Sequence, residues 1–138
     1  MNQLPETEKG IVVRTDFSNQ AAWEAICKII RKPVGIMRFR ANVTFVDDVQ
    51  YADMIKDELL QLVPDHDDAQ SFIIVVDQIA ISHSDNPLLI IDLFEERGRE
   101  FRALPSQIQS IENNLSLANM DFAEFADTVD ESGVFRGF

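Results

Sequence analysis

Ser71-Phe-Ile-Ile-Val-Val-Asp77-Gln-Ile-Ala-Ile81, the turn Ser82-His-Ser-Asp-Asn86-Pro87 and the run Leu88-Leu-Ile-Ile-Asp92-Leu-Phe94 decide the fold class of this chain. Both apolar runs are almost uninterrupted and rich in β-branched residues, which is how a strand covered on both faces reads. A turn joining two such strands sets them antiparallel. Glu95-Glu-Arg-Gly98 then leads into Arg99-Glu-Phe-Arg-Ala-Leu104, so three successive antiparallel strands are expected over residues 71–104.

Upstream, Ile11-Val-Val-Arg-Thr-Asp16-Phe17 reads as a first strand after Gly10. Ser18 or Asp16 is expected to cap the next helix, whose apolar positions Ala22, Trp23, Ile26, Cys27, Ile29 and Ile30 recur at helical spacing until Pro33 and Gly35. A second strand, bent, is expected over 36–46, because Met37, Phe39 and Ala41 alternate with Arg38, Arg40 and Asn42 before Val43-Thr-Phe-Val46. A helix is expected over 56–63, then a charged loop at Pro64-Asp65-His66-Asp67-Asp68. Short connections through helices favour parallel pairing of the first three strands. The reading is an α/β domain spanning 1–138: a mixed sheet of about five strands, parallel in its first part with an antiparallel edge, flanked by helices. Downstream, Ser106 with Gln109 and Asp121 with Glu124 match capping boxes and open two closing helices. The terminal Gly133-Val-Phe135-Arg-Gly-Phe138 reads as a strap on the core, with a docking tail as the alternative.

Twenty-four acids against twelve bases give a net charge of -12. Such a balance repels nucleic-acid backbones and anionic membranes and favours a basic protein partner. The charge is uneven: residues 47–95 hold twelve acids and only Lys56, and residues 112–131 hold six acids and no base. Cys27 is the one cysteine, so no disulfide can form within the chain and a reducing, cytoplasmic setting is expected. No apolar run approaches the roughly 18 residues that span a bilayer, and the amino terminus lacks the layout of a signal peptide.

Asp16, the Asp47-Asp48 pair and Asp77 fall at the ends of the first three expected strands. Ligands of open α/β sheets sit outside the carboxyl ends of strands, where gathered carboxylates can hold Mg²⁺ for phosphate chemistry. The arrangement resembles a response-regulator receiver domain. It departs from that pattern in the antiparallel run after Asp77 and in lacking a lysine at the end of a later parallel strand. The favoured reading is that these acids cap loops, and no metal is assigned. Asp65-His66-Asp67-Asp68 lacks the glycine turn and distal glutamate of a calcium loop, and His66 and His83 have no zinc-ligand spacing around them. Cys27 lies on an apolar helix face, where a thiol is inert. The glycines are too scattered for a nucleotide fingerprint, so no cofactor and no catalytic residue is assigned. Asn113, Asn114 and Asn119 read as structural caps, with a polar recognition patch as the alternative. Arg14, inside the first strand, needs a carboxylate partner such as Asp92.

Val12-Val-Arg-Thr-Asp-Phe-Ser18 with Ala22-Trp23, Asn86-Pro-Leu-Leu-Ile-Ile-Asp-Leu93, Ile111-Glu-Asn-Asn-Leu-Ser-Leu-Ala-Asn-Met-Asp-Phe122 and the ending Gly133 to Phe138 resemble an uncharacterised bacterial family defined as a domain of unknown function. The resemblance spans nearly the whole chain and implies no activity or catalytic residue; residues 47–70 depart from it most. The expected function is a non-catalytic acidic domain that binds a basic protein, by analogy with small immunity proteins that cover basic toxins. The alternative is an enzyme or a small-ligand or phosphate sensor using carboxylates at the strand ends. Candidate binding residues are Asp16, Asp47, Asp48, Asp77, Asn113, Asn114 and Asn119.

Overall fold

The computed structural model describes residues 3–5, 7, 9–63 and 71–138. Six strands form one sheet in the order β2-β1-β3-β4-β5-β6. They are β1 (Gly10–Arg14), β2 (Val43–Val46), β3 (Phe72–Val76), β4 (Leu88–Asp92), β5 (Glu100–Ala103) and β6 (Val134–Phe135). The first three pair in parallel, β4 is antiparallel to both β3 and β5, and β6 runs parallel to β5. The mixed α/β sheet is therefore as expected. Its reversed part is the single strand β4, and the terminal strap adds a sixth strand that the sequence pattern did not show.

Among the described residues, five helices flank the sheet: α1 (Gln20–Arg31), α2 (Lys56–Gln61), α3 (Gln78–Ser82), α4 (Ile108–Ser116) and α5 (Phe122–Ala126). The order β2-β1-β3 sends α1 and α2 to opposite faces, as right-handed crossovers require. Trp23, Ile26, Cys27 and Ile30 of α1 pack on Val12, Ile74 and Ile90 together with Ile108, Ile111, Phe122 and Phe125 from the closing helices. On the other face, Leu59, Tyr51 and Leu4 cover Ile11, Val13, Ile73 and Ile91. Both runs that set the fold class are fully buried in β3 and β4, which explains their lack of alternation.

Four local expectations are corrected. The strand expected to reach Ile81 stops at Val76, because the Asp77 carboxylate accepts the Ala80 N–H at 3.1 Å and caps α3. The second strand begins only at Val43. Gly35 and Arg38 take positive φ (77° and 55°), folding residues 34–39 into a tight turn closed by Val34 and Phe39. Asn19, not Ser18 or Asp16, caps α1 by accepting the Ala22 N–H at 3.0 Å. Ser106 and Gln109 form no capping box: Pro105–Gln107 is a 3₁₀ turn, and α4 begins at Ile108 without a side-chain cap. Ahead of α5, by contrast, the Glu124 carboxylate accepts the Asp121 N–H at 2.7 Å. The expected loop at Asp65–Asp68, with His66, lies outside the described residues.

At the carboxy terminus Phe135 is fully buried. Its ring meets Phe125 at 5.2 Å and the largely exposed Phe138 at 5.0 Å between centroids. The strap reading thus holds for Phe135, with Phe138 laid over it.

Candidate functional site

β1, β2 and β3 run parallel, so Asp16, Asp47-Asp48 and Asp77 emerge along one rim of the sheet. Each has local work there. Buried Asp16 accepts the N–H of Ser18 at 2.9 Å and its hydroxyl. Asp48 accepts the Gln50 N–H at 3.0 Å and the Gln50 side-chain amide at 2.8 Å, capping a 3₁₀ turn at Val49–Tyr51. Those bonds hold its carboxyl below the ordinary value of 3.8. Asp77, besides capping α3, is gripped by both Arg102 guanidinium nitrogens at 2.9 and 2.7 Å, and Arg102 also donates to the Pro87 carbonyl.

Asp47 answers the question of the buried arginine. Arg14 is 2% exposed and pairs with Asp47 at 3.2 Å rather than with Asp92. It also donates to Gln20 Oε1 at 2.8 Å and the Asp16 carbonyl at 3.0 Å. Its guanidinium lies 4.4 Å from the Phe17 ring centre and 5.2 Å from that of Trp23. Asp92 instead points into the β4-β5 connection, where it accepts the N–H groups of Phe94 and Glu96 at 3.0 and 2.9 Å.

Asp16 and Asp77 do meet in one place. They line a groove of about 400 Å³ on the α2 face, floored by Val75 and Leu89. Ile55 and Ile79 are exposed on its walls, and Asp53, Lys56 and Glu100 complete them. Asp53 takes φ 61°, which aspartate tolerates, and its N–H donates to the Thr15 carbonyl at 2.7 Å, tying this wall to the end of β1. Lys56 lies 3.5 Å from Glu100 and donates to the Gly98 carbonyl at 2.9 Å. Asp77 and Glu100 are thus matched by cations; Asp16 and Asp53 form no ion pair among the described residues. Asp47 and Asp48 stand outside this groove. Among the described residues, no group of three or more His, Cys, Asp or Glu side chains is placed to hold a metal ion.

The asparagines lie at the opposite end of the sheet. Asn113 donates to the Arg40 carbonyl at 3.0 Å and to Glu112 at 3.1 Å, and Asn114 donates to the Ser110 carbonyl at 2.8 Å. The Asn119 N–H donates to the Asn114 carbonyl at 2.9 Å. Sequence reasoning missed their neighbour Glu112, a carboxylate 3% exposed. It accepts from the Asn42 N–H, the Asn113 amide and the Ser116 hydroxyl. The signal was available: Glu112 follows Ile108 by four residues and so shares its buried stripe.

A second hollow, of about 450 Å³, opens at this amino-terminal rim between Phe94, Leu115, Met120 and Phe122. Glu95 on its edge is pushed above the ordinary glutamate value by desolvation and then by the neighbouring Asp121 charge. Burial pushes the Cys27 thiol up to about 11, against a smaller opposing pull from Arg31. That thiol is protonated at neutral pH, a state in which it is a poor nucleophile.

The fold and the rim together define an α/β domain with a mixed six-stranded sheet and an acidic groove beside the carboxyl ends of its parallel strands. Residues 9–138 match the family described as domain of unknown function DUF6924, and the chain belongs to that family. No curated protein matches the chain. Among the described residues, no helix is long and apolar enough to cross a membrane.

Proposed function

We propose that this chain is a non-catalytic binding domain of a bacterial cytoplasm that engages a basic protein through the surface around α2. The observation that carries the reading is the pair Asp53 and Asp57. Both are exposed, and neither carboxylate caps a turn or has an ion-pair partner among the described residues. Ile55 between them and Val49 just upstream are 63% and 70% exposed. Acids that already satisfy a cap or a cation gain little from a partner. Unmatched acids set among bare aliphatic side chains offer both charge steering and apolar area. The adjoining groove, of about 400 Å³ and lined by Asp16 and Asp53, would receive a lysine or arginine side chain of such a partner.

The alternative, an enzyme or a sensor of a small ligand or phosphate, draws on the convergence of Asp16 and Asp77 in the groove. The bidentate grip of Arg102 on Asp77 weighs against it, because that carboxylate is already committed.

Affinity capture with the immobilised chain at low and moderate salt tests the proposal. Capture of a basic protein that weakens with salt, and that is lost in the Asp53→Lys/Asp57→Lys variant, is expected. Capture that ignores both salt and the charge reversal would count against it.

A further inference from the structure

β2 is an edge strand, and among the described residues no strand pairs with its outer side. The Gly10 N–H donates to the Asn42 carbonyl, and Gly10 stands opposite Val43. That phase aims the main-chain groups of Asn42, Thr44 and Val46 at β1, and those of Val43 and Phe45 away from the sheet. No main-chain hydrogen bond among the described residues reaches that outer side. An unpaired row of this kind is a template for another strand, and native edges are usually blunted by a charge, a proline or a bulge. Val43-Thr-Phe-Val46 has none of these within it.

From these features we infer that β2 pairs antiparallel with the β2 of a second copy of this chain, joining two sheets across a twofold axis. The flanks choose this occupant. Before the strand lie exposed Arg38 and Arg40, and after it lie exposed Asp47 and Asp48, with the chain still extended at Asp48 (φ −139°, ψ 123°). An antiparallel match of the segment with itself therefore sets a basic end against an acidic end, twice. Only outward-facing residues can exchange main-chain bonds, so Val43 faces Phe45 of the second copy about an axis through Thr44. In that register Arg40 faces the second copy's Asp48. A parallel match would set arginine against arginine.

The test is sedimentation equilibrium of the full chain from micromolar to millimolar concentration, with three variants. The wild type is expected to show a reversible monomer–dimer equilibrium. Val43→Pro removes an outward N–H that β1 does not use and should leave a monomer, its fold checked by an unchanged circular dichroism spectrum. Arg40→Glu and Asp48→Arg should each weaken association by about tenfold, since each places two like-charge pairs in the dimer. The double variant Arg40→Glu/Asp48→Arg should restore it, which a misfolded single variant could not do. A monomer throughout the range would overturn the inference. So would a dimer indifferent to Val43→Pro, or a charge swap that fails to rescue. A monomer that cosediments with phosphatidylglycerol vesicles through Ile36 and Met37 would overturn it too, assigning the exposed 34–39 turn to a lipid surface. The Asp53 and Asp57 surface is untouched by these variants, so failure here leaves the basic-partner proposal standing.

Discussion

At the carboxyl rim of the sheet, Asp48 meets main-chain and side-chain N–H donors, Asp77 meets Arg102 and Asp47 meets Arg14, whereas at the amino rim Glu95 lies against Asp121 with Asp92 and Glu96 near. One acid at each rim thus has the opposite electrostatic standing. Donors favour the ionised form of Asp48; desolvation and then the like charge of Asp121 disfavour that of Glu95. Net charge cannot distinguish the two rims, and only the placement of N–H groups and guanidinium groups does.

The largest test of this contrast is Arg14→Met. It removes a charged group bonded to Asp47, Gln20 and the Asp16 carbonyl and held between two rings. Because Asp47 is half-exposed and can turn to water, a loss of about 3 kcal/mol in urea unfolding is expected, not the larger cost of a fully stranded charge. An unchanged midpoint would show that the carboxyl rim is not organised around this arginine. Glu112→Ala at the other end should cost about 2 kcal/mol by stranding the Asn42 N–H and loosening the tie between α4 and the 34–42 segment.

Asp121→Asn should act in the reverse direction and raise the melting temperature slightly at neutral pH. A carboxyl whose folded pKa is raised binds its proton better in the folded state. Glu95 therefore subtracts stability as pH rises from its ordinary 4.5 through the raised value. The variant should flatten that decline, and a pH profile of melting temperature identical to wild type would remove the repulsion from the account. Gln50→Ala sharpens the other side. The lowered pKa of Asp48 contributes stability above 3.8 that is lost as pH falls through the folded value, so the variant should show a shallower acid limb. The smallest effect concerns Cys27: alkylation at pH 8 should be slow in the native protein and fast in denaturant, and rapid native labelling would contradict a buried, protonated thiol.

The centre of the fold was legible because strands buried on both faces leave continuous apolar runs, as in β3 and β4. What failed did so for physical reasons. Gln78-Ile-Ala-Ile continues the apolar run of β3 unchanged, and only the Asp77 side chain, turning back to the Ala80 N–H, converts it to helix. Met37 and Phe39 alternate as a strand would, yet Gly35 and Arg38 fold them into an exposed turn. Strand-end positions of Asp16, Asp47, Asp48 and Asp77 were readable from topology, but their partners were not. Arg102 and Asp77 are brought together by the reversal of β4, and the groove takes its walls from residues 15–16, 53–56, 77–79 and 100.

The placement of β1 between β2 and β3 bears on how the protein emerges from the ribosome. β1 is flanked on both sides by strands that follow it in sequence, and Ile11 finds its partner Ile73 only after β2 and α2 have been made. Until then β1 and β2 expose Val12, Val13 and Phe45 as a two-stranded ribbon too small to be stable alone. The nascent domain is therefore expected to need shelter until β3 is made and to close quickly once β3 and the adjacent β4 arrive.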